Sequence, residues 1–294
     1  LRAVRHIEDI SGRYLGAFLD LRDANDVVHC NINVMGARTS RMSVSDPPLQ
    51  QLPRDDKMIR GSIIPRPGYV FITCDLDQVE MRILAHLSED PGLIQAFLDV
   101  DSGGGDFFNA VASVLYHTEI TDKKDPRRQL TKNSSYARAY GSGSAGLAVT
   151  AGVSIEEIVD FEKMFDSRFP GMATRMDLLE SQAKAAFRRG ETGGVTLASG
   201  RFLPCDQGKE YACLNYEIQS TAAEYMKRCL VNLDAAGFGD MLCLPVHDEV
   251  IVEVPAGDAE RLLPLVEQCM TDRDNYLVPI TAGGSILPER WMKT

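Results

Sequence analysis

The sequence predicts an α+β fold, with strand-forming segments on either side of a separate, mostly helical block. YVFITCD at 69–75 alternates its side chains between two faces and is rich in strand-forming residues. Two further alternating runs, in CLPVHDEVIVEVP at 243–255, flank a polar break and are typical of a β-hairpin. The chain between these segments, from about residue 106 to 190, has a mostly helical pattern. The helical block is therefore predicted to form a separate lobe between the strand-forming segments.

The segments around the first strand are predicted from their breakers and periodicity. An amphipathic opening at 1–21 precedes a polar stretch to Pro67, whose prolines lack amide donors and favour extended connections. After the strand, QVEMRILAHL at 78–87 places apolar residues on one helical stripe. DSGGGD at 101–106 is predicted to be a linker into the helical block.

The later elements follow in order. The helical block is broken near FPGM at 169–172, and the pattern becomes mixed again from Thr196. A long helix is predicted over 215–233, before the hairpin.

Composition bounds the class of protein. With 294 residues and 44% hydrophobic content, the chain can bury a real core. Its seven cysteines are scattered without a CxxC pair, which argues against a zinc site or a disulfide frame and favours a reducing, intracellular setting. No charged leader opens the chain, and no apolar run reaches the roughly 18 residues that a membrane helix needs. A signal peptide and a membrane span are not expected.

The charge distribution gives two opposed indications. The formal net charge of -11 argues against a polyanionic partner, because phosphate binding usually leaves a basic footprint. However, residues 119–141 and 38–66 each concentrate lysines and arginines. A solvated charged face is the usual meaning of such runs, although basic patches on an acidic body fit them as well.

RRQLTKNSSYARAYGSG at 127–143 contains four polar side chains at four-residue spacing, namely Arg128, Lys132, Tyr136 and Tyr140. Each step of four residues turns a helix by about 400°, so the four side chains lie on one ridge. For a single helix, an ordinary exposed face is the commoner explanation. The alternative is a surface that holds a polyphosphate by its cations and a flat base by its rings.

Two aspartates lie at strand ends. Asp75 ends the first strand, and Asp248 lies at the tip of the predicted hairpin. Acids often cap strand ends and turns. Two carboxylates on neighbouring strands can instead hold Mg2+, which prefers oxygen ligands, but spacing alone does not show that the two strands are neighbours.

The ordered combination of segments carries a family resemblance. DLDQVEMR at 75–82, the ridge segment and HDE at 247–249 resemble the three polymerase motifs of A-family DNA polymerases, the bacterial DNA polymerase I type. RTSRMSVSDPPLQQLP, AHLSEDPGLIQAF, RFPGM, TLASGRFLP and NYEIQSTAAEYMKR also resemble family segments in family order. The resemblance covers the chain from about His29, and its details are most similar to phage members.

The resemblance implies a right-hand polymerase fold: an antiparallel palm sheet with helices and an inserted, mostly helical fingers subdomain. It assigns 1–28 to a residual thumb base, 29–100 and 196–294 to the palm, and 101–195 to the fingers. Most of the thumb and the 3′–5′ exonuclease are expected to precede Leu1, supplied in a full-length protein. Weak DNA affinity and low processivity are therefore expected.

The resemblance also implies catalytic roles. Asp75 and Asp248 would hold two Mg2+ ions, for which Mn2+ can substitute, together with the backbone carbonyl of Leu76. Glu249 would be an auxiliary acid. Lys132 would act as the general acid that protonates the pyrophosphate leaving group.

Further residues are implied to bind the nucleotide and the DNA. Arg128 and Lys132 would grip the triphosphate, Tyr136 would lie against the sugar and base, and Tyr140 would lie at the templating position. Glu80 would block a ribose 2′-hydroxyl, and Gln78 and Leu76 belong to the same nucleotide site. The residues implied to contact primer and template, largely through the minor groove, are Arg41, Gln50, Asn215, Gln219 and His247.

The implied function is a template-directed DNA polymerase core, a nucleotidyltransferase that acts in the cytoplasm, of the host cell if the chain is phage-encoded. The expected partners are primer-template DNA and dNTPs, with no membrane and a monomeric state. One alternative is a single-subunit RNA polymerase, against which Glu80 argues because that position must be small to admit a ribose. Another is a non-catalytic DNA-binding remnant, against which intact Asp75, Lys132 and Asp248 argue.

Three positions depart from the family pattern. Phe108 stands where a histidine commonly helps with the triphosphate, and Tyr211 stands where an arginine is expected. Tyr136 replaces the usual phenylalanine of the ridge, an exchange that goes with acceptance of dideoxynucleotides in the family. The same acceptance is predicted here.

Overall fold

A computed structural model describes residues 9–53, 58–103, 105–141 and 143–292 of the chain. The chain divides into two compact units. The first unit comprises Leu1–Asp77, Ala223–Thr271 and Thr281–Thr294, and the second comprises Gln78–Ala222 and Asp272–Ile280. Residues 1–8 of the predicted thumb base lie outside the described residues. The predicted palm and fingers boundaries stay a prediction.

The strands are β1 (Asn31–Asn33), β2 (Ser43–Ser45), β3 (Tyr69–Leu76), β4 (Gly194–Thr196), β5 (Phe202–Pro204), β6 (Leu242–Val246), β7 (Glu249–Pro255) and β8 (Ala282–Leu287). A helical segment at Asp9–Gly16 continues into α1 (Ala17–Leu21), and the other helices are α2 (Val79–Ser88), α3 (Pro91–Gly103), α4 (Phe107–Tyr116), α5 (Pro126–Ala139), α6 (Ser144–Ala151), α7 (Ile155–Arg168), α8 (Pro170–Arg188), α9 (Cys213–Leu233) and α10 (Ala259–Met270).

The first unit is built on a four-stranded antiparallel sheet with the order β6-β7-β3-β8. β3 is a central strand, paired with β7 on one side and with β8 on the other. Its residues are buried from Val70 to Cys74, as expected for a strand with covered faces. The predicted strand at 69–75 is confirmed, and so is the predicted hairpin, because β6 and β7 pair across the turn at 247–248.

The two faces of this sheet are covered differently. Phe71, Ile251 and Leu287 belong to a buried cluster that also contains Tyr14 and Trp291. The opposite face carries α10, because Leu263 of α10 lies against Gly284 of β8, and the Gly284 amide donates a 2.8 Å hydrogen bond to Glu267. The side chains of β3 therefore alternate between an aromatic cluster and a helix.

The second unit is mainly helical among its described residues. Its helices have strong start signals: Asp106 and Asp125 cap α4 and α5, and Ser154 forms a capping box with Glu157 at the start of α7. Pro170 begins α8, so the predicted break near FPGM is confirmed. The predicted long helix corresponds to α9.

Two local expectations are wrong. Asp101–Gly103 do not form a linker, because α3 continues to Gly103 before the chain turns into α4. The polar stretch before Pro67 is not simply extended: it contains the β1–β2 hairpin and single helical turns at Leu49–Gln51 and Arg60–Ser62. A glycine is common where a helix ends, so the first glycine of DSGGGD terminates a helix here.

The helices of the described segments include none that is both long enough and apolar enough to cross a membrane.

Candidate active site

Asp75 and Asp248 lie on adjacent strands of the first unit. The Cα partner of Asp75 across the β3–β7 pair is Glu249, the first residue of β7. One residue further, the Leu76 amide donates a 3.0 Å hydrogen bond to the carbonyl oxygen of Asp248. The question that the sequence left open is therefore answered, since the strands that carry the two aspartates are neighbours.

The register also brings two like charges together. Directly paired residues of an antiparallel ladder project to the same face, so Asp75 and Glu249 share the face that carries Phe71. Opposed like charges destabilise such a pair. One carboxylate oxygen of Asp75, Oδ1, is shielded from solvent. A cation at this end of the sheet would offset the repulsion.

The donors at this point fit a hard cation with few protein ligands. The side chains of Asp75, Asp248 and Glu249 are all half-buried. In the described ranges, no group of three histidine, cysteine, aspartate or glutamate residues is arranged to hold a metal ion. Two carboxylates and a backbone carbonyl form an incomplete shell, which suits Mg2+ because that ion usually keeps waters and substrate phosphates as its other ligands.

The turn between β6 and β7 holds Asp248 in place. His247 is exposed and has a φ of 58°, in the left-handed region. Two-residue hairpins favour turns with a positive φ at the first central residue, and histidine enters this region more readily than most residues. His247 therefore closes the hairpin and places Asp248 just before the first residue of β7.

In the second unit, α5 presents the predicted ridge. The Asp125 side chain caps the helix by accepting a 2.8 Å hydrogen bond from the Arg127 amide, and Pro126 takes the first helical position. The buried residues of the helix are mostly small, including Thr131, Ser134 and Ser135. Arg128, Lys132 and Tyr136 lie on α5, and Tyr140 is its C-terminal cap residue.

Arg128 is the most enclosed cation of the ridge, with 8% of its surface exposed. Its Nε and Nη2 donate to Oδ1 and Oδ2 of Asp106 at 2.9 and 2.7 Å, and its Nη1 donates to the Lys123 carbonyl at 3.2 Å. Burial alone would raise the pKa of Asp106, but hydrogen bonds from Arg128 and the Asn109 amide, with the nearby positive charges, lower that pKa. Asp106 therefore stays ionised and compensates the buried guanidinium.

Lys132 differs from Arg128 in its surroundings. Its side chain is half-buried, and Nζ lies 6.0 Å from the centroid of the Phe108 ring. Within the described part of the chain, the Lys132 ammonium has no hydrogen bond or ion pair. Its positive charge is available to an anionic ligand.

A row of aromatic rings runs beside these cations. The rings of Phe97 and Phe107 stack at 3.8 Å, Phe108 lies 5.6 Å from Tyr136, and Tyr136 lies 5.9 Å from Tyr140. Phe108 is 2% exposed. Phe108, at the position where the resemblance implied a histidine, packs against Tyr136 and has no polar group to offer a phosphate.

Glu80 and Tyr140 are joined by a hydrogen bond, in which the Tyr140 hydroxyl donates to Oε2 of Glu80. Glu80 lies in the first turn of α2, shortly after the left-handed Gln78. Oε1 of Gln78 is buried, with no hydrogen-bond partner among the described residues. The carboxylate predicted to exclude a ribose hydroxyl is thus held by the ring predicted to lie at the templating position.

Gly141 follows Tyr140 and must be a glycine. Its φ is 71°, and a Cβ at this position would lie 2.6 Å from Cδ2 of Tyr211. Tyr211, at the position where the resemblance implied an arginine, is 44% exposed and packs against the end of α5. Backbone conformation and close approach therefore both exclude a larger residue at 141.

The residues predicted to contact DNA occupy different environments. Nε2 of Gln50 donates a 3.0 Å hydrogen bond to the Pro245 carbonyl of β6, a structural contact that the sequence did not predict. Arg41 is half-buried, and His247 is exposed. Asn215 and Gln219 are half-buried and lie one turn apart on α9, with Oδ1 of Asn215 lacking a hydrogen-bond partner among the described residues.

The whole chain resembles one known protein family. The model of DNA polymerase family A matches residues 1–293. The chain belongs to DNA polymerase family A. It is 37% identical over 246 residues to a DNA polymerase of Mycobacterium phage D29, and 34% identical over 266 residues to a DNA polymerase of Mycobacterium phage L5. These matches cover 84% and 90% of the chain.

A solved structure of this family has the same fold. The polymerase domain of Pol1 from M. smegmatis, solved in complex with DNA primer-template and dNTP, matches with a TM-score of 0.82 and 30% sequence identity. The match covers 94% of this chain and 50% of that one, while the chain spans 39% and 41% of the two phage polymerases. The predicted right-hand polymerase fold is confirmed.

Several site features were missed by the sequence reasoning. The ion pair between Asp106 and Arg128, the packing of Phe108 on Tyr136 and the bond between Tyr140 and Glu80 all join different helices. Only the ion pair of Asp106 with Arg128 has a local signal in the sequence, because an aspartate before FFN is typical of a helix cap. The other contacts depend on tertiary packing.

Proposed function

We propose that this chain is the core of a template-directed DNA polymerase, which adds deoxynucleotides to the 3′ end of a primer and releases pyrophosphate. The observation that carries the proposal is the register of β3 and β7 in a chain of DNA polymerase family A. It brings Asp75 next to Glu249 and joins Leu76 to Asp248 by a backbone hydrogen bond. The solved relative was captured with primer-template and dNTP, and this chain is proposed to bind the same partners.

Asp75 and Asp248 are proposed to be the metal ligands, with the Leu76 carbonyl as a third donor. Two Mg2+ ions bound there would activate the primer 3′-oxygen and neutralise the charge that develops on the phosphates. Glu249 adds negative charge at the same end of the sheet and strengthens the preference for divalent cations. Mn2+ is proposed to substitute.

The cations of α5 are proposed to bind the triphosphate. Lys132 has a charge that no described residue neutralises, so its ammonium can donate to the phosphate oxygens and can deliver a proton to the leaving pyrophosphate. Arg128 is proposed to hold the same triphosphate by the donors that its three intramolecular bonds do not use.

Selection of the sugar is proposed to depend on Glu80. The Tyr140 hydroxyl donates to this carboxylate, which limits its freedom to move away from a 2′-hydroxyl. Tyr136 is proposed to lie against the sugar and base of the incoming nucleotide, with Gln78 and Leu76 in the same site, and Tyr140 at the templating position. This bonded glutamate favours a DNA polymerase over a single-subunit RNA polymerase, whose corresponding residue must be small.

Contacts with DNA are proposed for Arg41, Gln50, Asn215, Gln219 and His247. Gln50 and Asn215 carry amide groups, which can donate to the minor-groove acceptors that all base pairs share. A protein with a net charge of -11 is expected to bind duplex DNA weakly. A monomer acting in the cytoplasm is proposed.

The test is incorporation of a single dNTP opposite each of four template bases, using a labelled primer and Mg2+. The proposal predicts that each template base directs its complement and that EDTA stops the reaction. Incorporation that does not depend on the template base would contradict the proposal. A protein that binds primer-template but incorporates no nucleotide would also contradict it. The second outcome would favour a DNA-binding remnant.

A further inference from the structure

The Arg128 guanidinium is fixed in a way that the polymerase motifs do not explain. Its side chain is 10% exposed and forms a bidentate ion pair with Asp106, in which Nε and Nη2 lie 2.9 and 2.7 Å from the carboxylate oxygens. The Lys123 carbonyl takes a third donor at 3.2 Å. A guanidinium has more N–H donors than these three bonds use, so donors remain for a phosphate oxygen. The orientation of those remaining donors is set by Asp106.

Asp106 has a second contact that an experiment must separate from the ion pair. Its Oδ1 also accepts a 3.1 Å hydrogen bond from the Asn109 amide and so caps α4. Asparagine is as good a cap residue as aspartate. A change of Asp106 to asparagine therefore keeps the cap of α4, but removes the negative charge and one of the two acceptor oxygens that hold Arg128.

Phe108 makes phosphate binding depend more strongly on Arg128. The Phe108 ring centroid lies 6.0 Å from Cζ of Arg128 and 6.0 Å from Nζ of Lys132. The ring is buried and has no hydrogen-bond donor for a phosphate. Because the side chain near both cations is apolar, phosphate binding by the ridge depends on how accurately Arg128 and Lys132 are oriented.

We propose that Asp106 is a positioning residue for the incoming nucleotide, which acts by holding the Arg128 guanidinium in the orientation that binds the triphosphate. The inference rests on the proposed function. Asp106 itself does not contact the substrate, because two carboxylate oxygens that pair with Arg128 would repel a phosphate. Asp106 acts only through Arg128, and its negative charge partly offsets the positive charge of that side chain.

The experiment measures KM for dNTP and kcat in single-nucleotide primer extension, with Asp106→Asn as the variant. Loss of a charge-assisted hydrogen bond is expected to raise KM by roughly tenfold, while kcat stays near the wild-type value. The matched control is Asp125→Asn, which removes one charge and keeps the cap of α5, but disturbs only the exposed pair with Arg127. The control should leave KM unchanged.

Two further measurements exclude a merely structural role. In an Arg128→Lys background, Asp106→Asn should raise KM little further, because lysine cannot form the bidentate ion pair. Binding of dNTP should raise the thermal unfolding midpoint of the complex with primer-template. This rise should be smaller in Asp106→Asn than in the wild-type protein, and it should be unchanged in Asp125→Asn. If Asp106→Asn is unfolded at the assay temperature, Asp106→Glu keeps the charge, displaces the guanidinium and should still raise KM.

An unchanged KM in Asp106→Asn, or fully additive effects with Arg128→Lys, would overturn the inference. A lower unfolding midpoint with unchanged dNTP binding would also overturn it, because Asp106 would then only stabilise the fold. A wild-type chain that binds primer-template and extends no primer would contradict the proposed function instead. The two failures are therefore distinguishable.

Discussion

Asp75 and Glu249 are Cα partners across the β3–β7 ladder, and the bond from the Leu76 amide to the Asp248 carbonyl continues the same register. Side chains of one sign directly opposite each other destabilise an antiparallel pair. The sheet nevertheless keeps this arrangement at the end of a strand whose interior is buried. The divalent cations proposed to bind at this end of the sheet would offset the repulsion.

This explanation predicts that Glu249→Gln stabilises the metal-free protein. Removing one of two opposed charges should raise the free energy of unfolding by about 0.2–1 kcal/mol. Urea unfolding in EDTA measures it, and the gain should shrink in Mg2+. The control is Glu253→Gln on the same strand, where Glu253 accepts from the Arg66 amide at 2.7 Å and pairs with its guanidinium, so this change should not stabilise. A Glu249→Gln protein that is less stable in EDTA would contradict the explanation.

Tyr136 is expected to make the polymerase accept dideoxynucleotides. The Tyr136→Phe change should lower incorporation of a dideoxynucleotide relative to the normal nucleotide by about tenfold or more, a difference of at least about 1.4 kcal/mol in transition-state binding. Competition between the two nucleotides in primer extension measures the ratio. Tyr116→Phe, on α4, is the control and should leave it unchanged. Strong discrimination in the wild-type protein that Tyr136→Phe leaves unaltered would count against this role.

The bond between Tyr140 and Glu80 is expected to sharpen the exclusion of ribonucleotides. Tyr140→Phe keeps the ring and removes the donor, and a hydrogen bond to a charged group contributes about 1.5–3 kcal/mol. Glu80 should then move more freely, and incorporation of rNTP relative to dNTP should rise. Glu80→Ala should raise the ratio further. If Tyr140→Phe discriminates as well as the wild-type protein, the bond has no part in sugar selection.

Gly141 is expected to tolerate no side chain. Gly141→Ala would combine a left-handed φ of 71° with a contact 2.6 Å from the Tyr211 ring. Gly190→Ala is the matched control, because Gly190 has a φ of 77° and a Cβ added there would meet no atom within 4 Å. Both changes carry a backbone cost of about 1–3 kcal/mol, and Gly141→Ala should cost more. Equal unfolding free energies for the two variants would show that the ring contact is unimportant.

The parts of the fold that depend on local pattern were predictable from the sequence. Alternation in 69–75 and 243–255 indicated the central strand and the hairpin, and the proline of FPGM indicated the start of α8. The pairing of β3 with β7 is a contact over a long sequence separation, so periodicity did not reveal it. Asp101–Gly103 were misread because glycines near a helix end and glycines in a linker look alike locally.

The candidate site shows the same division. Four-residue spacing placed Arg128, Lys132 and Tyr136 on one helix, and α5 carries all three. Spacing could not show that Arg128 is buried against Asp106 while Lys132 stays available, because the difference is made by a residue 22 positions away. Tertiary packing sets the environment of each cation. The role of each cation depends on this environment as much as on its position along the ridge.

The most direct test of the central claim is the rate of Mg2+-dependent primer extension in three variants at the same end of β3. Asp75→Asn and Asp248→Asn should each lower the rate by at least about a thousandfold, because each removes a proposed metal ligand. Asp77→Asn is the control, since Asp77 is exposed and accepts a 3.0 Å hydrogen bond from the Thr281 hydroxyl that asparagine can also accept. It should extend primers at close to the wild-type rate. Extension that survives either Asp75→Asn or Asp248→Asn in a folded protein would contradict the account.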